Sequence, residues 1–165
     1  MNHKFNSDLH LGRLLGNALR RFDARVLELM SQDLDLPLKW TNYLSQGVVT
    51  AAQIHMVRHL PQGGARLADL AISSGLTKQA MKSLIDQCEA MGLVLRERPD
   101  QACTTDRREK KISYTETGLQ WRAAFYRAVQ RAQAETEDEL GLDVLTVIRI
   151  GLEAYGSGHD HGYVS

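Results

Sequence analysis

The chain is poor in cysteine and proline, has no long apolar run and carries no excess of either charge. Each shortage removes a class of protein. Two cysteines in 165 residues, Cys88 and Cys103, cannot build a disulfide framework, and their scarcity points to a reducing compartment. Three prolines leave most of the sequence free of helix breakers. No apolar stretch approaches the roughly 20 residues that a membrane helix needs. The opening MNHKFNSDLHLGRLL puts charge and histidine where a signal peptide has its apolar core, so a cytoplasmic protein with no membrane partner is expected. Twenty basic against twenty acidic residues give a net charge of zero, which excludes indiscriminate coating of nucleic acid. There is no nucleophile with a matched base, no glycine-rich phosphate loop and no carboxylate pair. Neither enzymatic activity nor a cofactor is expected.

What is present is apolar residue at helical spacing. An apolar content of 43% over this length fits one globular domain or a small domain with helical extensions. Leu11, Leu15, Ala18, Phe22, Val26 and Leu29 recur every three or four positions and predict one helix over 8–31. The stretch 33–47 is interrupted by Pro37 yet holds Leu36, Leu38, Trp40, Tyr43 and Leu44, and reads as a connector with a short helix near 38–45. Thr50 is placed to cap a helix running to Leu60, which Pro61 and the Gly63–Gly64 pair end.

The next segment, LADLAISSGLTKQAMKSLIDQCEAMGLVLRERPD, reads as helix, glycine turn, helix and strand. A very short strand at 65–67 precedes a helix over 67–74. Gly75 makes the turn, and Thr77 caps a helix to about Met91 whose apolar stripe is Leu76, Ala80, Met81, Leu84, Ile85 and Cys88. Gly92 ends it and a strand starts at Leu93. After a charged loop the chain returns as a strand over 111–114, and Thr115 or Thr117 caps a long helix carrying Leu119, Ala123, Tyr126, Val129 and Ala132, with Trp121 and Phe125 nearby. A last helix holds Leu142, Leu145, Ile148 and Leu152, and 156–165 is a tail. Helix, turn, helix, strand, charged loop, strand is the order of a winged helix-turn-helix, so the fold class expected is mainly α with an α+β wing.

A helix entering the major groove must present polar side chains outward while its other face packs on the scaffold. Thr77, Lys78, Gln79, Lys82 and Ser83 cluster toward the start of the second helix, the end that normally approaches the bases. The first-turn amides there favour a phosphate. Between Arg96 and Lys111 stand six basic residues against four acidic ones, among them Arg107, Arg108 and Lys110. An arginine at a loop tip can enter the narrow minor groove. Asp106 beside it repels phosphate, and its use is to hold a neighbouring arginine by an ion pair. Double-stranded DNA is therefore the expected partner.

These residues resemble the MarR family of transcriptional regulators. The likeness is carried by the wing motif Asp106-x-Arg108, by Thr115-x-x-Gly118, and by Arg66-Leu67-Ala68-Asp69-Leu70-Ala71 with Gly75-Leu76-Thr77-Lys78-Gln79-Ala80, and it spans about residues 48–120. It implies a homodimeric winged-helix protein on a pseudo-palindromic operator, usually a repressor, and in many members a small aromatic ligand that releases the DNA. Arg66, Thr77, Lys78, Gln79, Lys82, Ser83, Asp106, Arg107, Arg108 and Lys110 are the expected DNA contacts. Two segments depart from the pattern: the extra wing residues 101–105 and the long connector 33–47.

The dimer also follows from surface. A winged-helix core of about 70 residues cannot cover apolar faces at 11–29, 119–132 and 142–152, whereas a second copy can. Residues 1–47 and 116–155 are then the dimerisation region, and 48–115 the DNA-binding domain. Trp40, Tyr43, His55 and His59 are the candidate lining of an effector cleft; the competing reading is that Trp40 and Tyr43 simply seal the connector onto the core. His55 and His59 have a metal-ligand spacing, but their helix offers no acidic or cysteine partner, and His159-Asp160-His161 lies in the tail; no metal is expected. The alternatives are a winged helix that binds protein, the dimerisation module of a methyltransferase, and a redox sensor using Cys103. The second lacks a following glycine-rich motif, and the third lacks a resolving partner.

Overall fold

Four side chains decide where helices begin. In a computed structural model, which describes residues 10–97 and 111–157, His10, Thr50, Thr77 and Thr115 each accept a hydrogen bond from a backbone amide of the turn that follows. That satisfies donors with no partner inside the helix. The helices among the described residues are α1 (Leu11–Ser31), α2 (Leu38–Ser45), α3 (Ala51–His59), α4 (Leu67–Ser74), α5 (Lys78–Ala90), α6 (Glu116–Leu140) and α7 (Leu142–Gly156). The strands are β1 (Ala65–Arg66), β2 (Val94–Glu97) and β3 (Lys111–Tyr114), joined antiparallel in the order β1-β3-β2. At Thr50 the cap is reciprocal, because Gln53 Oε1 accepts from the Thr50 amide at 2.9 Å.

Gly75 separates α4 from α5 at φ +67°, a left-handed conformation that a side chain would strain. The helix-turn-helix packs α5 through Met81, Leu84, Ile85 and Cys88, all buried, together with Leu70 and Ala71 of α4. The strands close the unit. Val94 pairs with Tyr114 and Glu97 with Lys111, and the Tyr114 hydroxyl donates to the carbonyls of Leu60 (3.2 Å) and Val57 (3.4 Å) at the end of α3. The mainly α winged helix expected from the sequence is what the chain forms. Burial pushes the Cys88 thiol up to about 12, so it is an inert core residue.

The Thr115-x-x-Gly118 motif has a mechanical reason. Thr115 Oγ1 donates to Gly92 O at 2.6 Å and accepts from the Gly118 amide at 2.9 Å, so one hydroxyl joins the end of the helix-turn-helix to the start of α6. A Cβ on Gly118 would stand 1.9 Å from Leu93 O, so only glycine lets α6 come this close to the strand.

That approach also corrects the expected face of α6. The sequence reading put Leu119, Ala123, Tyr126, Val129 and Ala132 on its apolar stripe. Ala132 is buried and Val129 packs partly against the core, but Ala123 is exposed, Leu119 is 40% and Tyr126 41% exposed. The buried residues are Gly118, Trp121, Ala124, Phe125, Ala128 and Ala132. With Gly118 pinned against Leu93, the helix is rotated so that the large rings of Trp121 and Phe125 fill the core. The first turns of α1 differ as well: Leu11 is 62% exposed, and burial begins at Asp23 and Val26. On the ribbon Ala80 is exposed and Leu76 only partly covered, so the stripe of α5 is narrower than its spacing predicted.

Candidate nucleic-acid interface

Capping and packing together leave one face of α5 outward. Thr77, Lys78, Gln79, Lys82 and Ser83 are all exposed, while the opposite side is bolted to the core. The Thr77 hydroxyl is engaged as the cap, accepting from Ala80 N at 3.2 Å, so it presents the helix start more than a free donor. Exposed Arg66 ends β1, and its Cα partner across the sheet is Lys111. Like charges set opposite each other repel, and this pair stands at the sheet end where β3 begins. On the other side of Lys111 stands Glu97, which partly offsets it.

Asp106, Arg107, Arg108 and Lys110, named from the sequence as wing contacts, lie outside the described residues, as does Cys103. The strands that carry the wing are in place, with β2 ending at Glu97 and β3 starting at Lys111.

Sequence reasoning missed the ion pairs that hold α5. There Arg96 counted only as one of six basic residues near the wing. In the structure Asp86 accepts from Lys82 at 2.8 Å and from Arg96 at 2.5 Å, and the other arm of Arg96 reaches Glu89. The two cations hold the Asp86 carboxyl below its usual range, the Lys82 hydrogen bond most strongly. Gln53, the capping residue of α3, donates to Gln87 at 3.3 Å. The signal available beforehand was the i,i+4 spacing of Lys82 and Asp86. The Arg96 bond depends on a strand folding back on the helix.

The four candidate effector residues sit as ring pairs on two helices. Trp40 is buried on α2, edge-on to Tyr43 with centroids 5.6 Å apart and 5.3 Å from the ring of Trp121. It is a core residue that fastens the connector to α6, so it offers a ligand no open surface in this structure. His55 and His59 on α3 are partly buried with centroids 4.7 Å apart, and His55 Nε2 is buried with no hydrogen-bond partner among the described residues. No group of three or more possible metal ligands occurs among the described residues. A cleft of about 800 Å³ opens elsewhere, between α1, α6 and α7, lined by apolar residues such as Leu15, Phe22, Leu145 and Ile148 and crossed by Arg21–Glu139 and Arg25–Glu135 ion pairs. None of the described helices is long and apolar enough to cross a membrane.

Comparison with solved structures settles the architecture. A cysteine-to-serine mutant of MarR from E. coli, complexed with operator DNA, matches over 93% of this chain and 99% of its own, with a TM-score of 0.68 at 18% identity. This is the MarR fold. BpsR of Bordetella bronchiseptica, whose DNA binding is regulated by 6-hydroxynicotinic acid, matches over 93% of this chain and 98% of its own, with a TM-score of 0.67 at 17% identity. A MarR family protein of Mycobacterium tuberculosis in complex with salicylic acid matches over 90% and 97%, with a TM-score of 0.57 at 24% identity. No family model matches the sequence, and no curated protein does.

Proposed function

We propose that this chain is a MarR-family transcriptional regulator, a non-enzymatic cytoplasmic homodimer that binds a pseudo-palindromic duplex operator and represses from it. The observation that carries the reading is the outward polar face of α5 (Thr77, Lys78, Gln79, Lys82, Ser83), whose other side packs on the core through Met81, Leu84, Ile85 and Cys88. α5 enters the major groove, and Arg66, Asp106, Arg107, Arg108 and Lys110 meet the backbone and the minor groove beside it. Residues 48–115 read DNA, and 1–47 with 116–155 dimerise.

Exposed apolar surface supports the dimer. No residue of α7 is buried, and Leu142, Val147, Ile150 and Tyr155 are all at least 60% exposed. So much bare apolar surface on one helix marks an interface. A two-fold axis through it sets the two α5 helices about 34 Å apart, one turn of B-DNA. The unpaired His55 Nε2 gives the effector reading its support, as a polar handle for a small aromatic acid beside His59. Such a ligand must bind the DNA-incompetent state more tightly to release the operator.

Selection of bound duplexes from a random pool tests the whole reading. The expected outcome is a palindromic consensus with half-sites one helical turn apart. A pool with no enrichment overturns it.

A further inference from the structure

Lys82, an expected base contact, is paired with Asp86, and that carboxylate is anchored from β2. Its ammonium lies 2.8 Å from Asp86 Oδ2, while Arg96 of β2 takes Oδ1 at 2.5 Å. Arg96 is in turn held by Glu89, through its guanidinium and through its main-chain N–H at 3.3 Å to Oε1. The exposures fall inward along this chain: the Lys82 side chain is 62% exposed and that of Arg96 21%.

An exposed lysine is a point charge on a four-carbon stem that samples many rotamers. A surface i,i+4 pair with lysine on the N-terminal side is too weak to hold it. Here the carboxylate is fixed on its far side by a guanidinium that is itself fixed, so the orientation of Lys82 is set from β2. The four groups carry two positive and two negative charges, so the cluster as a whole has no net pull on phosphate.

We propose that Arg96 is a positioning residue for base recognition: through Asp86 it keeps the Lys82 ammonium on the groove-facing surface of α5 and away from the phosphates. The role rests on the DNA-binding reading above. Lys82 leaves Asp86 Oδ2 only for an acceptor presented close by, such as guanine O6 or N7 on the groove floor. A phosphate displaced to the side does not meet that condition. Arg96 thereby raises the selectivity of Lys82 at the expense of its contribution to non-specific binding.

The test uses the full-length protein, the operator selected from the random pool, and a scrambled duplex of equal length, with affinities measured over a salt series. In Asp86→Asn, which keeps the shape and frees Lys82, affinity for the scrambled duplex rises about 3–10-fold and its salt slope steepens by about 1. The operator-to-scrambled ratio falls about tenfold. Glu137→Gln on α6 adds the same unit of charge at an exposed site far along the chain, and leaves that ratio unchanged. Adding Lys82→Ala to Asp86→Asn changes the ratio no further, because coupled residues are non-additive. Arg96→Gln reproduces the loss of ratio; should it fail to fold by circular dichroism, the half-exposed Asp86 position carries the test. An Asp86→Asn protein that weakens on both duplexes equally, or keeps its ratio, makes the network purely structural and overturns the positioning role alone. A wild-type protein that selects no duplex overturns the function proposed above, and this role with it.

Discussion

The carboxylate of Asp23 on α1 is held by the guanidinium of Arg58 on α3. One nitrogen lies 3.4 Å from Oδ2 and a second bonds Oδ1 more closely. Asp23 is buried, and the Arg58 side chain is only a quarter exposed. The pair ties the long helix assigned to dimerisation to the helix that precedes the reading head. A second tie runs from Asp33, just after α1, to Arg127 on α6, with two hydrogen bonds of 2.9 Å.

Removing one partner of a buried pair leaves a charge without compensation. Arg58→Ala is expected to destabilise the fold by about 3 kcal/mol, read as a lower urea midpoint. Asp23→Leu combined with Arg58→Leu should recover most of that loss, since the desolvated carboxylate is gone. A single Arg58 variant as stable as wild type contradicts the buried-pair reading.

Gly118→Ala puts a methyl group into the carbonyl of Leu93, 1.9 Å away. Backbone cannot yield as a flexible side chain does, so α6 must move off the wing. A loss of about 2–3 kcal/mol is expected, seen as a fall in Tm, and the shift of α6 should quench or displace Trp121 fluorescence.

His59 is held below its ordinary value of 6.5, by burial first and then by the charges of His55 and Arg58. The unfolded chain takes up its proton at higher pH than the folded one, so folded stability is full above about 6.5 and falls as pH drops below it. Urea midpoints measured between pH 7.5 and 5.5 should decline, and His59→Gln should flatten the decline. A slope that is unchanged in that variant assigns the effect to other groups.

Charging the bare helix tests the dimer. Ile150 is 60% and Val147 70% exposed within one chain, so Ile150→Glu or Val147→Asp costs little folding energy if the chain is alone in solution. The expected result is a halved mass by sedimentation with an intact circular dichroism spectrum, and a large loss of operator affinity. Unchanged mass and affinity place the interface elsewhere.

Readout and anchoring separate by their salt response. Gln79→Ala should relax base preference with little change in the salt slope. Arg108→Ala should weaken operator binding by about 1–3 kcal/mol. Asp106→Ala should weaken it too, because the arginine loses its orienting partner. Tighter binding by the Asp106 variant would falsify the ion-pair role.

Local chemistry made much of this protein legible before any fold was known. The threonines at 50, 77 and 115 mark helix starts because a hydroxyl can satisfy amides only there, and Gly75 marks the turn because its φ is positive. The polar cluster from Thr77 to Ser83 was visible for the same reason: short-range periodicity separates the two faces of one helix. Which face of α6 turns inward was not legible, because both Leu119–Tyr126 and Trp121–Phe125 are apolar at helical spacing. The contact of Gly118 with Leu93, 25 residues earlier in the chain, made that choice. Nor could spacing reveal that Trp40 meets the ring of Trp121, that Asp23 meets Arg58, or that Arg96 reaches across from a strand to Asp86. Those pairings join elements distant in sequence, and their partners are determined only when the helices and the wing pack together.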